Sequence, residues 1–341
     1  MPGALLDTLH GKSVYPRPIW LMRQAGRYLP EYRALRAEKG GFLGLVYDSD
    51  AAAEITVQPI DRFGFDGAIL FSDILIVPYA MGQDLEFLVG EGPRLSPTLI
   101  NQTLGSLEAV PERLTPIYDT VAKVRARLGS QTTLLGFAGS PWTVATYMVA
   151  GEGSRDHHVT RALAYRDPAG FQAIIDAIVT VTVDYLAGQI AAGAEAVQLF
   201  DSWAGSLAPA EYERWVIAPN AAIVDRLRSR YPDTPIIGFP KGSGEKLPAY
   251  ARETGVNAVG VDETVDPVWA AKALPQGLPV QGNFDPLLIE AGGELIEQRT
   301  IALLEAFADR PHVFNLGHGI GQHTPIAHVE RLVAAVRGWR G

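Results

Sequence analysis

The sequence predicts a (β/α)8 barrel, and three observations support that prediction. Eight short apolar runs recur along the 341 residues, and most are separated by stretches with helical spacing. The runs show little alternation of apolar and polar residues, which is typical of strands buried on both faces of a parallel sheet. Eight such strand–helix units in a chain of this length favour a closed barrel over an open sheet. We expect one domain over residues 1–341.

The eight predicted strands follow in chain order, and each ends in a polar or glycine-containing turn. They span residues 19–22, 67–71, 133–137, 194–200, 235–239, 256–261, 278–281 and 312–316. Between them the spacing predicts helices, for example over 168–192, 209–231, 244–254, 268–274 and 293–308. This repeated alternation of strand and helix is the pattern of a parallel α/β sheet.

The interval between the second and third strands is irregular, at roughly sixty residues. Its segment 78–97 contains Gly82, Gly90, Gly92 and Pro93 around the apolar run 85–89. This composition predicts an excursion with hairpin character from the end of the second strand. Long loops at the carboxyl ends of barrel strands often border the active site.

Composition excludes several classes of function. Hydrophobic residues make up 47% of the chain and charged residues 20%, as in soluble globular proteins. The chain has no cysteine, which removes disulfides, thiolate nucleophiles, iron–sulfur clusters and cysteine-ligated zinc. A net charge of −9 argues against nucleic-acid binding, and a polyanionic ligand would need local positive charge.

No membrane segment or secretory signal is predicted. The longest apolar stretch, 174–200, is interrupted by Asp176, Asp184 and Glu195. Residues 1–11 lack the basic start and apolar core of a secretory signal, so we expect a cytoplasmic protein.

Two arginines directly follow the first predicted strand. Arg23 and Arg27 flank Ala25 and Gly26, just beyond the apolar run 19–22. An unpaired charge is costly to bury, so these guanidinium groups should face an anion such as a carboxylate or phosphate. Internal salt bridges to Asp or Glu elsewhere in the chain are the alternative.

Further polar residues follow other predicted strands, at the edge where barrel enzymes place their chemistry. Asp73 follows the second strand, Tyr147 the third, Ser202 the fourth and His318 the eighth. The first three have a structural alternative, and a lone histidine such as His318 is a weak indication. Asp73 could pair with Arg23 or Arg27, Tyr147 could be a core tyrosine, and Ser202 could cap a helix.

Other basic and histidine residues give weaker indications. Arg33, Arg36 and Lys39 are expected on a solvated helix face after Pro30. The sequence 241–244, Lys-Gly-Ser-Gly, fits either an anion-binding loop or a turn before a helix. The histidines do not show the spacing of a zinc site, so we expect no metal. Those histidines are His312, His318, His323 and His328.

Five segments together carry a family resemblance. They are Met-Arg-Gln-Ala-Gly-Arg-Tyr-Leu-Pro-Glu-Tyr-Arg at 22–33, Phe-Ser-Asp-Ile-Leu at 71–75, Gly-Phe-Ala-Gly-Ser-Pro-Trp-Thr at 136–143, Leu-Phe-Asp-Ser-Trp-Ala-Gly at 199–205 and Asn-Leu-Gly-His-Gly at 315–319. With Tyr147, this set strongly resembles the uroporphyrinogen decarboxylase family. The resemblance extends from about residue 5 to about residue 336.

The resemblance implies a function and a set of roles. The chain would convert the four acetate side chains of uroporphyrinogen III to methyls without a cofactor, giving coproporphyrinogen III and CO2. Asp73 would accept the pyrrole N–H groups and stabilise a cationic intermediate, with Arg23 and Arg27 as further catalytic residues. The implied substrate-binding residues are Arg23, Gln24, Ala25, Gly26, Arg27, Asp73, Tyr147, Ser202 and His318. A homodimer is also implied.

Two other functions remain open at this point. A cobalamin-type methyltransferase of the same superfamily resembles this fold, but those enzymes bind zinc through cysteine thiolates, and this chain has no cysteine. A tetrapyrrole carrier without catalysis would need a similar cavity. Release of CO2 from the substrate separates an enzyme from a carrier.

Overall fold

The computed structural model describes residues 3–88, 92–100 and 103–341, and a curled parallel sheet forms its centre. The strands of the described residues are β1 (Gly67–Ile69), β2 (Asp84–Leu88), β3 (Gly92–Ser96), β4 (Thr133–Gly139), β5 (Ala196–Asp201), β6 (Ile236–Pro240), β7 (Ala258–Gly260), β8 (Val280–Gln281) and β9 (His312–Val313). The central sheet has the order β1-β4-β5-β6-β7-β8-β9, and all of its pairs are parallel. These seven strands confirm the second to eighth strands of the sequence prediction.

The first predicted strand, 19–22, closes the sheet but is not a regular strand. Its backbone pairs on one side with Phe314, whose N–H donates to Pro18 O at 2.8 Å, and on the other with Asp66, whose N–H donates to Ile19 O at 2.9 Å. Side chains replace the strand partners of its other N–H groups, because Asp66, Gln24 and Asn315 accept from the N–H groups of Ile19, Leu21 and Met22. The segment therefore completes the barrel between β9 and β1 with side-chain hydrogen bonds.

The predicted excursion is an antiparallel hairpin of β2 and β3. It follows a short helix, Ile76–Ala80, and its aromatic residue Phe87 packs against Phe42 with ring centroids 4.6 Å apart. Val89 and Gly90, which the sequence placed in the excursion, lie outside the described residues. The hairpin covers one side of the barrel mouth.

Helices surround the sheet in the described part of the chain. They are α1 (Ala4–Leu9), α2 (Pro30–Lys39), α3 (Phe42–Tyr47), α4 (Ser49–Phe63), α5 (Ile76–Ala80), α6 (Thr115–Arg127), α7 (Pro141–Ala150), α8 (His158–Arg166), α9 (Pro168–Ala191), α10 (Pro209–Tyr212), α11 (Ala218–Arg230), α12 (Leu247–Glu253), α13 (Pro267–Ala273), α14 (Pro286–Ala291), α15 (Leu295–Ala306) and α16 (Ile326–Gly338). Their buried apolar side chains join those of the strands in one core.

Helix α9 is long and apolar enough to cross a membrane by length and composition. Its apolar residues are explained by packing instead, since just over half of its most apolar window is buried. Gln189 near its end bonds both the N–H and the C=O of Phe137 in β4, each at 2.9 Å. This helix is a core helix of the barrel.

Candidate active site

A cavity of about 920 Å³ opens at the carboxyl ends of the barrel strands. It brings together eight of the nine binding residues predicted from the sequence. They are Arg23, Ala25, Gly26, Arg27, Asp73, Tyr147, Ser202 and His318. The walls between them are aromatic, with Phe71, Phe137, Phe200 and Phe239 contributed by four successive strands or strand ends. The site is thus an apolar cleft with a few convergent polar groups, as is usual for small-molecule sites.

Arg23 and Arg27 are exposed to the cavity, and neither forms an ion pair within the described ranges. The salt-bridge alternative for these arginines is therefore not supported. Arg23 has a backbone φ of 61°, a left-handed conformation that is strained for a residue with a long side chain. Gly319 leaves room for this side chain, because a Cβ there would lie 2.3 Å from Arg23 Cδ.

Gln24 is the predicted binding residue that does not line the cavity. Its side chain is fully buried; Nε2 donates to Gly67 O at 2.9 Å, and Oε1 accepts from Leu21 N at 3.0 Å. The bond to Gly67 ties the arginine segment to β1, and the bond from Leu21 lies within the segment. The sequence could not show that this side chain points into the protein, since Gln24 lies between exposed Arg23 and half-buried Ala25 in an irregular segment.

Asp73 faces the cavity just beyond β1. Burial raises the pKa of its carboxyl to about 6, while the N–H of Leu75, at 2.8 Å from Oδ1, and the charge of Arg23 act in the opposite direction. No ion pair reaches Asp73 within 4 Å from any described residue. A carboxylate poised in this way can accept hydrogen bonds from a ligand and stabilise a positive charge.

Tyr147 and Ser202 face the cavity from neighbouring parts of the barrel. Burial, and next the negative charge of Asp73, raise the pKa of Tyr147, so its phenol is a neutral hydrogen-bonding group. Tyr147 is thus both a buried residue and a cavity residue. Ser202 follows β5, and the next short helix, Ala204–Ser206, has Trp203 at its N-cap, so Ser202 is not its cap.

His318 is a neutral imidazole at the mouth. Desolvation lowers its pKa to about 4, and the positive charges of Arg23 and Lys241 act in the same direction. At neutral pH its ring is therefore uncharged and can donate or accept a hydrogen bond.

Arg36 is a cavity residue that sequence reasoning assigned wrongly. It was expected on a solvated helix face together with Arg33 and Lys39, but it lines the cavity. Arg33 and Lys39 are exposed on α2 as expected; Arg33 donates to the carbonyl oxygens of Arg27 and Tyr28, and Lys39 pairs with Asp48 at 2.8 Å. The helical spacing could have indicated this position, because Arg36 lies one turn after Tyr32 on the same face of α2. Tyr32 is buried and also lines the cavity.

The 241–244 segment forms a turn before a helix. Gly242 N donates to Asp262 Oδ2 at 2.8 Å, and a short helix, Gly244–Lys246, leads into α12. Lys241 lies 3.9 Å from Glu263 Oε1. No group of three or more His, Asp or Glu side chains that could hold a metal occurs within the described ranges.

The whole chain is similar to one protein family. A family model described as "Uroporphyrinogen decarboxylase (URO-D)" matches residues 3–339. Curated proteins named uroporphyrinogen decarboxylase are 76% identical in Novosphingobium aromaticivorans, covering 99% of each chain, and 72% identical in Rhizorhabdus wittichii, covering 98% of this chain and 97% of the relative. The one from Erythrobacter litoralis is 69% identical over 100% of both chains.

Solved structures add a likeness of fold alone. A methyltransferase from Methanosarcina mazei superimposes with a TM-score of 0.83 over 98% of this chain and 97% of its own, at 17% identity. A B12-independent methionine synthase from Shewanella sp. gives a TM-score of 0.57 over 95% of this chain and 94% of its own, at 11% identity.

Proposed function

The chain belongs to the uroporphyrinogen decarboxylase family, and we propose that its cavity binds uroporphyrinogen III through the residues described above. The chain is a carboxy-lyase of haem biosynthesis that converts the substrate's acetate side chains to methyls with release of CO2. The observation that carries the assignment of the site is a pair of arginines without ion-pair partners in the described ranges, facing the same cavity as Asp73. Those charges suit a substrate that is anionic at its rim and N–H-rich at its centre.

The arginines would bind the carboxylates of the substrate. Arg23, Arg27 and Arg36 reach the cavity, and their forked guanidinium donors match carboxylate geometry. Ser202 and neutral His318 would add uncharged donors. Each charge-assisted contact contributes roughly 1.5–3 kcal/mol, so a few contacts suffice for tight binding of an octacarboxylate. Positive charge is local here, since the chain as a whole carries −9.

Asp73 would sit at the centre of the macrocycle and accept its pyrrole N–H groups. Protonation of the ring carbon beside the acetate-bearing carbon makes the pyrrole a cation. The C–C bond to the carboxylate then breaks, its electron pair neutralises the ring, and CO2 leaves. Protonation of the exocyclic methylene and loss of the added ring proton complete the methyl group, so each acetate consumes one proton overall. The negative charge of Asp73 stabilises the cation at both protonation steps.

The pyrrole ring itself accepts the electron pair in this scheme, so no cofactor is needed. Tyr147, with its pKa raised by burial, keeps its proton and can donate a hydrogen bond to the substrate. We also propose that the chain works in the cytoplasm as a homodimer and folds as one domain. The single hydrophobic core supports the single domain, and the homodimer is what the family resemblance implies.

Anaerobic incubation of the purified protein with uroporphyrinogen III tests the function. We expect CO2 release and products with seven, six, five and finally four carboxyl groups, separated by chromatography after oxidation to porphyrins. A carrier would bind the substrate and return it with all eight carboxyl groups. Size measurement in solution tests the dimer separately.

A further inference from the structure

A second buried carboxylate, Asp201, lies in the chain between two cavity residues, Phe200 and Ser202, and has no role in the proposed reaction. It is the last residue of β5, its side chain is inaccessible to solvent, and no cation pairs with it within the described ranges. Its Oδ1 accepts a hydrogen bond from the Thr143 hydroxyl at 2.5 Å. Its Oδ2 is enclosed and accepts no hydrogen bond of good geometry, although the Asn220 side chain and the Thr143 N–H lie close enough to the carboxyl to stabilise its charge. Burying such a group is costly, so a compensating role should be sought.

The Thr143 hydroxyl connects Asp201 to the loop that carries Ser202. Thr143 Oγ1 also accepts the N–H of Trp203 at 3.1 Å. A hydroxyl has one proton, and the bond to Asp201 uses it, so the lone pair is directed to Trp203. The neighbouring Trp142 donates from Nε1 to the carbonyl of Trp203 at 3.1 Å. Two successive residues of α7 therefore hold both backbone polar groups of the residue that follows Ser202.

The same helix carries Tyr147. Thr143 and Tyr147 are four residues apart in α7, so they lie one turn apart on one face of the helix. The hydroxyl of Thr143 thus links the element that carries Tyr147 to the loop that carries Ser202. Both of those side chains line the cavity.

We propose that Asp201 and Thr143 are positioning residues that fix Ser202 relative to Tyr147, with Asp201 orienting the Thr143 hydroxyl and Thr143 holding the loop at Trp203. The proposal rests on the proposed use of Ser202 and Tyr147 as substrate contacts. Neither Asp201 nor Thr143 touches the substrate. Their effect on turnover passes through Ser202, because a donor displaced by a fraction of an ångström loses its bond to a rigid substrate.

The test compares Thr143→Val, Thr143→Ser, Ser202→Ala and the double variant Thr143→Val/Ser202→Ala. Valine keeps the shape of threonine but cannot bridge Asp201 and Trp203, whereas serine keeps the hydroxyl. We expect Thr143→Val to raise KM about tenfold, as loss of one substrate hydrogen bond would. Thr143→Ser should stay within about threefold of the wild type in KM, and the double variant should resemble Ser202→Ala alone.

Two further variants separate positioning from stability. Thr8→Val removes another buried hydroxyl, which donates to Ala4 O at 2.9 Å in α1, a helix that contributes no residue to the cavity lining. This variant should lower the thermal midpoint without changing KM. Asp201→Asn keeps an oxygen that can accept the Thr143 hydroxyl, so its KM should stay within about twofold of the wild type. If Thr143→Val does not fold, Thr143→Ala provides the test, because it removes the same hydroxyl and should raise KM in the same way, and an unchanged KM would overturn the positioning role.

The outcomes distinguish the inference from the function. A wild type that releases no CO2 overturns the proposed function. A wild type that turns over, combined with additive KM effects of Thr143→Val and Ser202→Ala, overturns the positioning role. A tenfold rise of KM in Asp201→Asn also overturns the positioning role. The negative charge of Asp201, and not its ability to accept the Thr143 hydroxyl, would then be required.

Discussion

At the residue scale, the side chain of Asp73 is buried at the cavity, and burial disfavours the charged form of its carboxyl. Its pKa is raised to about 6 from the ordinary 3.8, so the folded protein binds this proton more tightly than the unfolded chain does. The contribution to stability is complete below pH 3.8 and is lost as the pH rises through about 6. At neutral pH the ionised group costs about 2–3 kcal/mol at most, less where water in the cavity solvates it.

Asp73→Asn should therefore separate turnover from stability. The amide can still accept a hydrogen bond but carries no charge, so kcat should fall about 10²–10³-fold. The thermal midpoint at pH 8 should rise or stay equal, and the difference from the wild type should shrink toward pH 4. Single-turnover rates and melting curves at pH 5, 6.5 and 8 check both.

The exposed residue Asp119 provides the control for this comparison. Asp119→Asn should change neither the single-turnover rate nor the thermal midpoint. A lowered midpoint with an intact rate in Asp73→Asn would refute the role given to Asp73.

Arg27→Lys should not be a conservative change. Lysine keeps the charge but not the two-donor fork, and the side chain of Arg27 has no ion pair in the described ranges to hold it in place. We expect kcat/KM to fall about tenfold or more with an unchanged thermal midpoint. Arg62→Lys, at the surface pair with Glu31, is the control and should keep wild-type kinetics. Wild-type kinetics in Arg27→Lys would show that the fork does not bind substrate.

At the element scale, the segment 19–27 completes the barrel between β9 and β1 at its start and lines the cavity at its end. Side-chain oxygens of Asp66, Gln24 and Asn315 satisfy its N–H groups, so it can leave strand geometry immediately before Arg23. Arg23 then adopts its positive φ and lies over Gly319, beside His318. The position of this guanidinium thus depends on residues from both ends of the chain.

Gly319→Ala tests that arrangement without touching an arginine. A Cβ at residue 319 would lie 2.3 Å from Arg23 Cδ and 2.7 Å from Cγ, so the arginine must move. We expect KM to rise at least about fivefold, equivalent to about 1 kcal/mol of lost binding. Gly338→Ala is the matched control, because the Cβ that alanine would add there has no neighbouring atom within 4 Å. Equal KM values for the two variants would show that Arg23 is free to relocate.

At the scale of the whole molecule, we expect the protein to catalyse decarboxylation without a metal ion or an organic cofactor. The chain has no cysteine, and its described residues include no metal-binding group of three His, Asp or Glu side chains. We expect full decarboxylase activity after exhaustive chelation and dialysis, measured anaerobically without pyridoxal phosphate, thiamine, flavin or metal. Activity lost with the chelator and restored by zinc would contradict this expectation.

The strand positions and most of the cavity residues were predictable from sequence, because both depend on local patterns. Continuous apolar runs mark buried strands whatever their neighbours are, and parallel strands bring the residues after them to one edge of the barrel. Asp73, Tyr147, Ser202 and His318 were placed correctly at the cavity on that basis. The family resemblance, and not periodicity, supplied the substrate.

Only the tertiary structure decided which polar groups meet a partner. Gln24 turns into the barrel, Arg36 reaches the cavity, and Arg23 and Arg27 remain without ion pairs among the described residues. The raised pKa values of Asp73 and Asp201 follow from burial by elements far apart in sequence. Local sequence patterns predict which positions of a strand or helix are buried. Desolvation and hydrogen bonding depend on which distant elements pack against it, and only the folded barrel brings those elements together.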